Sequence, residues 1–362
     1  MSLSRMPIRL GFVQLCDAAP YILAGELGYF QEAGLTVELS RELGWATIRS
    51  KIALGELDAA HALATLPLAL SFGLCPERCA VETSLVTSHH GNAITLGRRI
   101  YERGVHTAEE FRQEVLSSRG AKRYLLGVVS PESTHHLLLR AWLQGVGLKP
   151  QVDVQIVTIP PGQALRNLRA GTVDGFCVGE PWNFLAVRDR LGWIPALGET
   201  IQEGHPEKVL MARQQFARER EDEYLLLGAA ILRACAYCAV PENAAEIARV
   251  LTQKKYIGNV RSAMERTLTG PYSCGEAMPT HTGSRFRFYG PGCNALDAGM
   301  TRWLVEGLRA LYAVKKPWSP DELEPVLRTD RLAQMRARAG LSKNGTGRKR
   351  AAKTVQKRAS GR

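Results

Sequence analysis

The chain has 362 residues, 45% hydrophobic and 7% aromatic, with a formal net charge of +12; that length holds two ordinary domains or one large one with a sizeable core. Eleven Lys/Arg residues follow Asp330, the last acidic residue, so the body before them carries only about +1, which excludes a basic nucleic-acid-binding domain. No apolar run reaches the ~20 residues of a membrane-spanning helix.

Met1-Ser-Leu-Ser-Arg-Met-Pro7 leads directly into an apolar β-type segment, Ile8–Val13, with no basic region, apolar stretch and cleavage site ahead of it. A cytoplasmic location is expected on that reading. Further short β-type segments follow at 36–39, 59–63, 81–87, 125–129, 152–159 and 175–178. Helical patterns lie between them at 20–33, 45–54, 108–117, 134–146, 163–170 and 182–190. This alternation predicts an α/β fold with mostly parallel sheets.

An internal echo supports two lobes of like topology. Leu54-Gly55-Glu-Leu-Asp58-Ala-Ala-His61 leads to Thr65-Leu-Pro67, and Ala170-Gly171-Thr-Val-Asp174-Gly-Phe-Cys177 leads to Gly179-Glu-Pro181. Each copy reads as a helix ended by a C′ glycine, a turn with Asp, a buried strand, and a proline that opens the next helix. After Lys208 the pattern turns helical, with a buried helix at 222–239 and another at 241–254. Residues 256–300 read as irregular and glycine-rich. A last amphipathic helix is predicted at 301–314 with Trp303, Leu304, Leu308 and Leu311 inward, and the chain past 340 reads as a disordered tail.

Eight cysteines in this length make no disulfide scaffold, and Cys75/Cys79 and Cys235/Cys238, the close pairs, have no second pair at zinc-site spacing. No G-x-S-x-G, Walker loop, H-E-x-x-H or G-x-G-x-x-G occurs. The residues therefore predict a binding cleft rather than an enzyme, with no cofactor and no metal.

Three loops stand where strands end and helices begin, where unpaired N–H groups favour small anions: Leu43-Gly-Trp45, Ser130-Pro-Glu-Ser133-Thr134-His135-His136 and Val178-Gly-Glu-Pro-Trp182. Each has a plainer reading, Trp45 as a core aromatic, the histidines as a polar first turn, Glu180-Pro-Trp182 as a turn and Lys208 as a surface lysine.

Taken in order, Leu10-Gly-Phe-Val, Asp17-Ala-Ala-Pro20, Gly28-Tyr-Phe, Gly34-Leu-Thr-Val-Glu-Leu-Ser40, Trp45-Ala-Thr-Ile-Arg-Ser-Lys51, Gly55-Glu-Leu-Asp-Ala-Ala-His61, Gly91-Asn92-Ala-Ile-Thr95-Leu, Thr134-His135, Cys177-Val-Gly-Glu-Pro-Trp182 and His205-Pro-Glu-Lys208 closely resemble the nitrate-binding proteins of bacterial ABC transporters. The resemblance covers residues 8–213 strongly and 214–325 loosely. It implies a two-lobed type II periplasmic-binding-protein-like α/β fold with a ligand cleft between lobes. Lobe 1 would comprise 1–95 plus 200–330, lobe 2 the inserted 96–199, and 331–362 a basic tail, with hinge crossings near Thr95 and Ala196.

Carried over position by position, the resemblance implies an oxyanion pocket of Trp45, Asn92, His135, Gly179 and Lys208. Bicarbonate-binding relatives carry an acidic residue where Lys208 stands, so the lysine points to nitrate or nitrite. Lys208 would supply the charge, Asn92 and His135 directional donors, Trp45 an indole wall and Gly179 a close backbone approach. Without an export signal, the chain most resembles the cytoplasmic NasS-type nitrate/nitrite sensors. That implies an antiterminator partner of the NasT type, released when the anion binds, with no direct membrane contact and nucleic acid reached only through the partner. The alternatives are a solute-binding subunit of a nitrate/nitrite ABC transporter, an enzyme resembling the thiamin-pyrimidine synthases, and a nucleic-acid binder acting through the eight Lys/Arg of the last twenty residues.

Overall fold

The structure is a computed structural model and describes residues 6–258, 261–276 and 278–341. Among the described residues eleven strands form two sheets: β1 (Ile8–Val13), β2 (Val37–Glu42), β3 (Ala59–Leu63), β4 (Val81–His90), β5 (Asn92–Gly97), β6 (Tyr124–Val128), β7 (Val154–Thr158), β8 (Gly175–Gly179), β9 (Gly192–Leu197), β10 (Pro206–Arg213) and β11 (Phe286–Arg287). The first sheet runs β11-β4-β10-β3-β1-β2 and the second β7-β6-β8-β5-β9.

The core of each sheet is a parallel trio, β2-β1-β3 and β7-β6-β8. The strands of each trio are joined by crossover helices, which parallel neighbours require. The echoed motifs close both trios by one device. Gly55 and Gly171 end their helices in the left-handed region, at φ 75° and 74°. Asp58 then accepts from the backbone N–H of Arg9 at 2.9 Å, and Asp174 accepts from that of Leu125 at 2.9 Å. In each sheet this ties the start of the third strand to the first, and a cation, Arg9 or Lys122, pairs with the same carboxylate.

Two further strands make the sheets mixed rather than mostly parallel. β10 runs antiparallel between β3 and β4, and β5 antiparallel between β8 and β9. They are the strands beside which the chain changes sheets. It leaves the first sheet through β4 and enters the second through β5 with only Gly91 between, then returns through residues 198–205 to β10. Thr95 pairs with Phe176 inside β5 and Ala196 with Ile94 inside β9, so these two positions stand within strands beside the sheet changes. Gly91 has φ 83°, and a Cβ there would lie 2.1 Å from the Phe286 ring. A side chain at this turn is therefore excluded on both counts.

The 256–300 stretch is less irregular than its composition suggests, holding a helix, Arg261–Thr269, and β11. It also reaches the second sheet, where Ile194 N–H donates to Cys274 O at 2.8 Å. The amphipathic helix expected at 301–314 covers Ala298–Leu311, with Leu304 and Leu308 buried and Trp303 and Leu311 half-buried.

The start of the expected tail is corrected. Asp330–Ala339 is a helix packed on Glu221–Cys238, with Leu332 and Met335 buried. Arg331 pairs with Glu82 and Glu221, Arg338 with Asp222, and Arg336 donates to Cys293 O. Two apolar residues three apart and specific partners for three arginines are what a charge count alone does not display. The remainder of the expected tail lies outside the described residues.

Candidate functional site

Lys208 is wholly buried, and its position follows from a local irregularity. Adjacent residues of a regular strand point to opposite faces, yet the pairing of β10 with β4 shifts register between Pro206, Lys208 and Val209. Bulges re-aim side chains in this way, and here the side chains of Glu207 and Lys208 meet in one buried place.

Around the ammonium the two lobes converge. The turn after β1 supplies Asp17, whose carboxylate lies 2.8 Å from Lys208 Nζ, while its other oxygen is 3.0 Å from Nε2 of His61 on β3. Trp45, the first residue of the helix Trp45–Leu54, places its ring centroid 5.4 Å from Lys208 Nζ and 5.4 Å from the His61 ring, a cation–π arrangement. From the other lobe, Asn92 at the start of β5 donates to Glu207. The helix Thr134–Gly145 is capped by Ser133, whose hydroxyl accepts from His136 N–H at 3.1 Å. That cap aims the first turn inward: Thr134 Oγ1 donates to Glu207 at 2.5 Å and His135 Nε2 stands 3.6 Å from it. Gly179 pairs with Asn92 across the sheet, and a Cβ on it would lie 3.6 Å from Asn92 Oδ1 and 3.7 Å from Asp17 Oδ2.

Trp45, Asn92, His135, Gly179 and Lys208 are thus gathered in one place, all buried. Trp45 is a core aromatic that also faces the Lys208 ammonium. The indole N–H of Trp45 and both ring nitrogens of His135 have no hydrogen-bond partner. Unpaired buried polar groups are costly, so these groups are the unsatisfied members of the cluster around Lys208 and Glu207.

The electrostatics differ from a single fixed positive charge. Burial works to depress the Lys208 ammonium, but Asp17 and Glu207 outweigh it and hold its pKa above the ordinary value. Burial works to raise Asp17, yet Lys208 and His61 hold it well below the carboxylate range. His135 is held far below its usual value by burial and then by Lys208, and His61 is lowered by burial against the pull of Asp17. One ammonium therefore faces two carboxylates, with the imidazoles neutral.

Supporting contacts fix the rim. Arg285, wholly buried, donates to Asn92 O at 2.8 Å and pairs with Glu199. Tyr272 donates to Glu180 at 2.7 Å, and Asn183, which accepts from Thr95 at 2.9 Å, donates to Glu180 as well. Sequence reasoning assigned no role to Asp17, His61, Thr134, Glu207 or Arg285. The first four lie in motifs that carried the resemblance, but only the bulge and the fold show that they face Lys208.

Among the described residues no group of His, Cys, Asp and Glu could hold a metal ion. The eight cysteines are unpaired, six of them buried.

Two mixed sheets joined by paired crossings, with a buried polar cluster between them, define a two-lobed α/β fold of the periplasmic-binding-protein kind. The crystal structure of the periplasmic nitrate-binding protein NrtA from Synechocystis PCC 6803 superposes with a TM-score of 0.85, 22% identity and coverage of 94% of this chain and 92% of that one. The chain belongs to the NMT1-like family, whose model matches residues 3–252. Its relatives include the bicarbonate transport ATP-binding protein CmpC of Synechocystis sp. strain PCC 6803, 42% identical over 257 residues, which are 70% of this chain and 38% of that protein. They also include the nitrate/nitrite binding protein NrtA of Nostoc sp. strain PCC 7120, 30% identical over 262 residues, 70% of this chain and 59% of that one. The chain thus spans well under two thirds of either relative.

Proposed function

We propose that the chain binds a small planar oxyanion, nitrate or nitrite, between its lobes, as a solute-binding component of an import system. The observation that carries this is the convergence of Trp45, Asn92, His135, Gly179 and Lys208 from both lobes on one buried point. The relatives named for nitrate and nitrite support it. The relative named for bicarbonate keeps that anion in the comparison, and Lys208 argues for nitrate or nitrite. ATP binding is not carried over from CmpC, because the chain has no Walker phosphate loop.

The proposed action follows from two-lobe contact. Lys208, Trp45 and Asp17 belong to one lobe, and Asn92, Thr134 and His135 to the other, so a bound anion bridges them and favours the closed form over an open one. In a thermal-shift panel, nitrate or nitrite at about a hundred times its Kd should stabilise by about 2.7 kcal/mol, or about 3–4 °C. Sulfate and chloride should not. Equal shifts with all four salts would overturn the assignment.

A signalling use of the same closure, in the cytoplasm with a NasT-type antiterminator as partner, rests on the resemblance alone. Co-purification separates it from transport: the partner should be retained without nitrate and nitrite and released with them.

A further inference from the structure

The point on which the anion donors converge is held by a carboxylate of the protein itself. Glu207 is wholly buried and accepts from Asn92, from Thr134 at 2.5 Å and from Lys208, with His135 Nε2 at 3.6 Å. An anion reaching these donors meets a resident negative charge at close range in a place shielded from water, where repulsion is little screened.

Among the described residues only Lys208 pairs with Glu207; Arg285, which donates to Asn92 O, pairs with Glu199 instead. On Glu207's own strand Lys208 is already shared with Asp17 from the turn after β1. His61 on β3, His135 on the facing helix and His205 ahead of β10 are kept neutral by burial, His205 being lowered to about 3. On β8, burial and then the charge of Glu207 push the Cys177 thiol well up, so it brings no charge. Asn92 on β5 and Thr134 are neutral donors.

We propose that Glu207 takes up one proton from solvent when the oxyanion enters, so that the site binds an anion and a proton together. Protonated Glu207 then donates its O–H to a ligand oxygen instead of competing for the donors. This inference rests on the oxyanion reading above and deepens it by setting a chemical distinction among ligands. Nitrate has no proton to share with a carboxylate and needs the uptake. Bicarbonate brings an O–H of its own, which can donate to ionised Glu207 without any uptake.

The test is calorimetric titration of the whole chain with sodium nitrate and with sodium bicarbonate, each in two buffers of different ionisation enthalpy. The expected result is about one proton taken up per nitrate and about none per bicarbonate, with nitrate affinity falling as pH rises. Glu207→Gln, whose amide donates at every pH, should bind nitrate with no uptake and a flat pH profile. Nitrate binding without proton uptake overturns the proposal, as does bicarbonate binding with it, and the wild-type proton count decides the matter even if the variant fails to fold. Absence of binding by nitrate, nitrite and bicarbonate alike would instead remove the oxyanion reading on which the proposal stands.

Discussion

At the residue scale, the site depends on which groups share one buried point. His135 carries no structural hydrogen bond from its ring, so replacing it should reveal binding more cleanly than replacing Lys208. His135→Ala is expected to weaken nitrate or nitrite affinity by about ten- to a hundredfold, about 1.4–2.8 kcal/mol, with the fold intact by circular dichroism. Lys208→Met should abolish binding and also destabilise the protein by about 3–5 kcal/mol, because Asp17 and Glu207 lose their shared counter-charge; denaturant unfolding measures that loss. The types and order of Trp45, Asn92, His135, Gly179 and Lys208 were legible in the sequence. The roles of Glu207 and Asp17 were not. In a regular strand Glu207 turns away from Lys208, and no local signal announces the register shift that brings the two together.

At the element scale, the strands read from the sequence were β4 and the members of the two parallel trios, each a short apolar run. Those missed, β5, β9, β10 and β11, all pair antiparallel with their neighbours. β5 follows β4 after Gly91 alone and β10 follows the four-residue helix Gly198–Ile201, so no alternation sets these two apart. The echoed turns were legible because they repeat a complete device: a left-handed glycine and an aspartate that binds the neighbouring strand's N–H. Asp58→Ala and Asp174→Ala should each cost about 1–3 kcal/mol, since each orphans a backbone N–H and releases a cation. Thermal unfolding of the two variants should show comparable losses, although they lie in different sheets. A negligible loss in either would deny that carboxylate its part in closing the trio.

At the scale of the whole molecule, charge and protonation take on a different distribution from the one the sequence displays. The +12 total drew attention to the C-terminal end, yet Arg331, Arg336 and Arg338 belong to a packed helix, and the cation at the site lies between two carboxylates. Burial lowers the pKa of His61, His89, His90, His135, His136 and His205, His90 to about 4 and His205 to about 3. Their unfolded value is about 6.5, so over the range below it the unfolded chain binds more protons and stability must fall as pH falls. Burial raises Glu82, to about 7, and Glu180, and these act in the opposite sense. Six lowered histidines against two raised carboxyls predict a melting temperature that drops between pH 7 and pH 5. A melting temperature that rises over that interval would contradict the burial of the histidines.

The central claim is that a small planar oxyanion binds where Lys208 and His135 meet across the lobes. Isothermal titration of the full chain with nitrate and nitrite, wild type beside His135→Ala, tests it most directly. The account predicts one-to-one binding of at least one of the two with a Kd on the order of 1 μM, about −8 kcal/mol, and a marked loss in the variant. No saturable binding of either anion, or equal binding by wild type and variant, would contradict it.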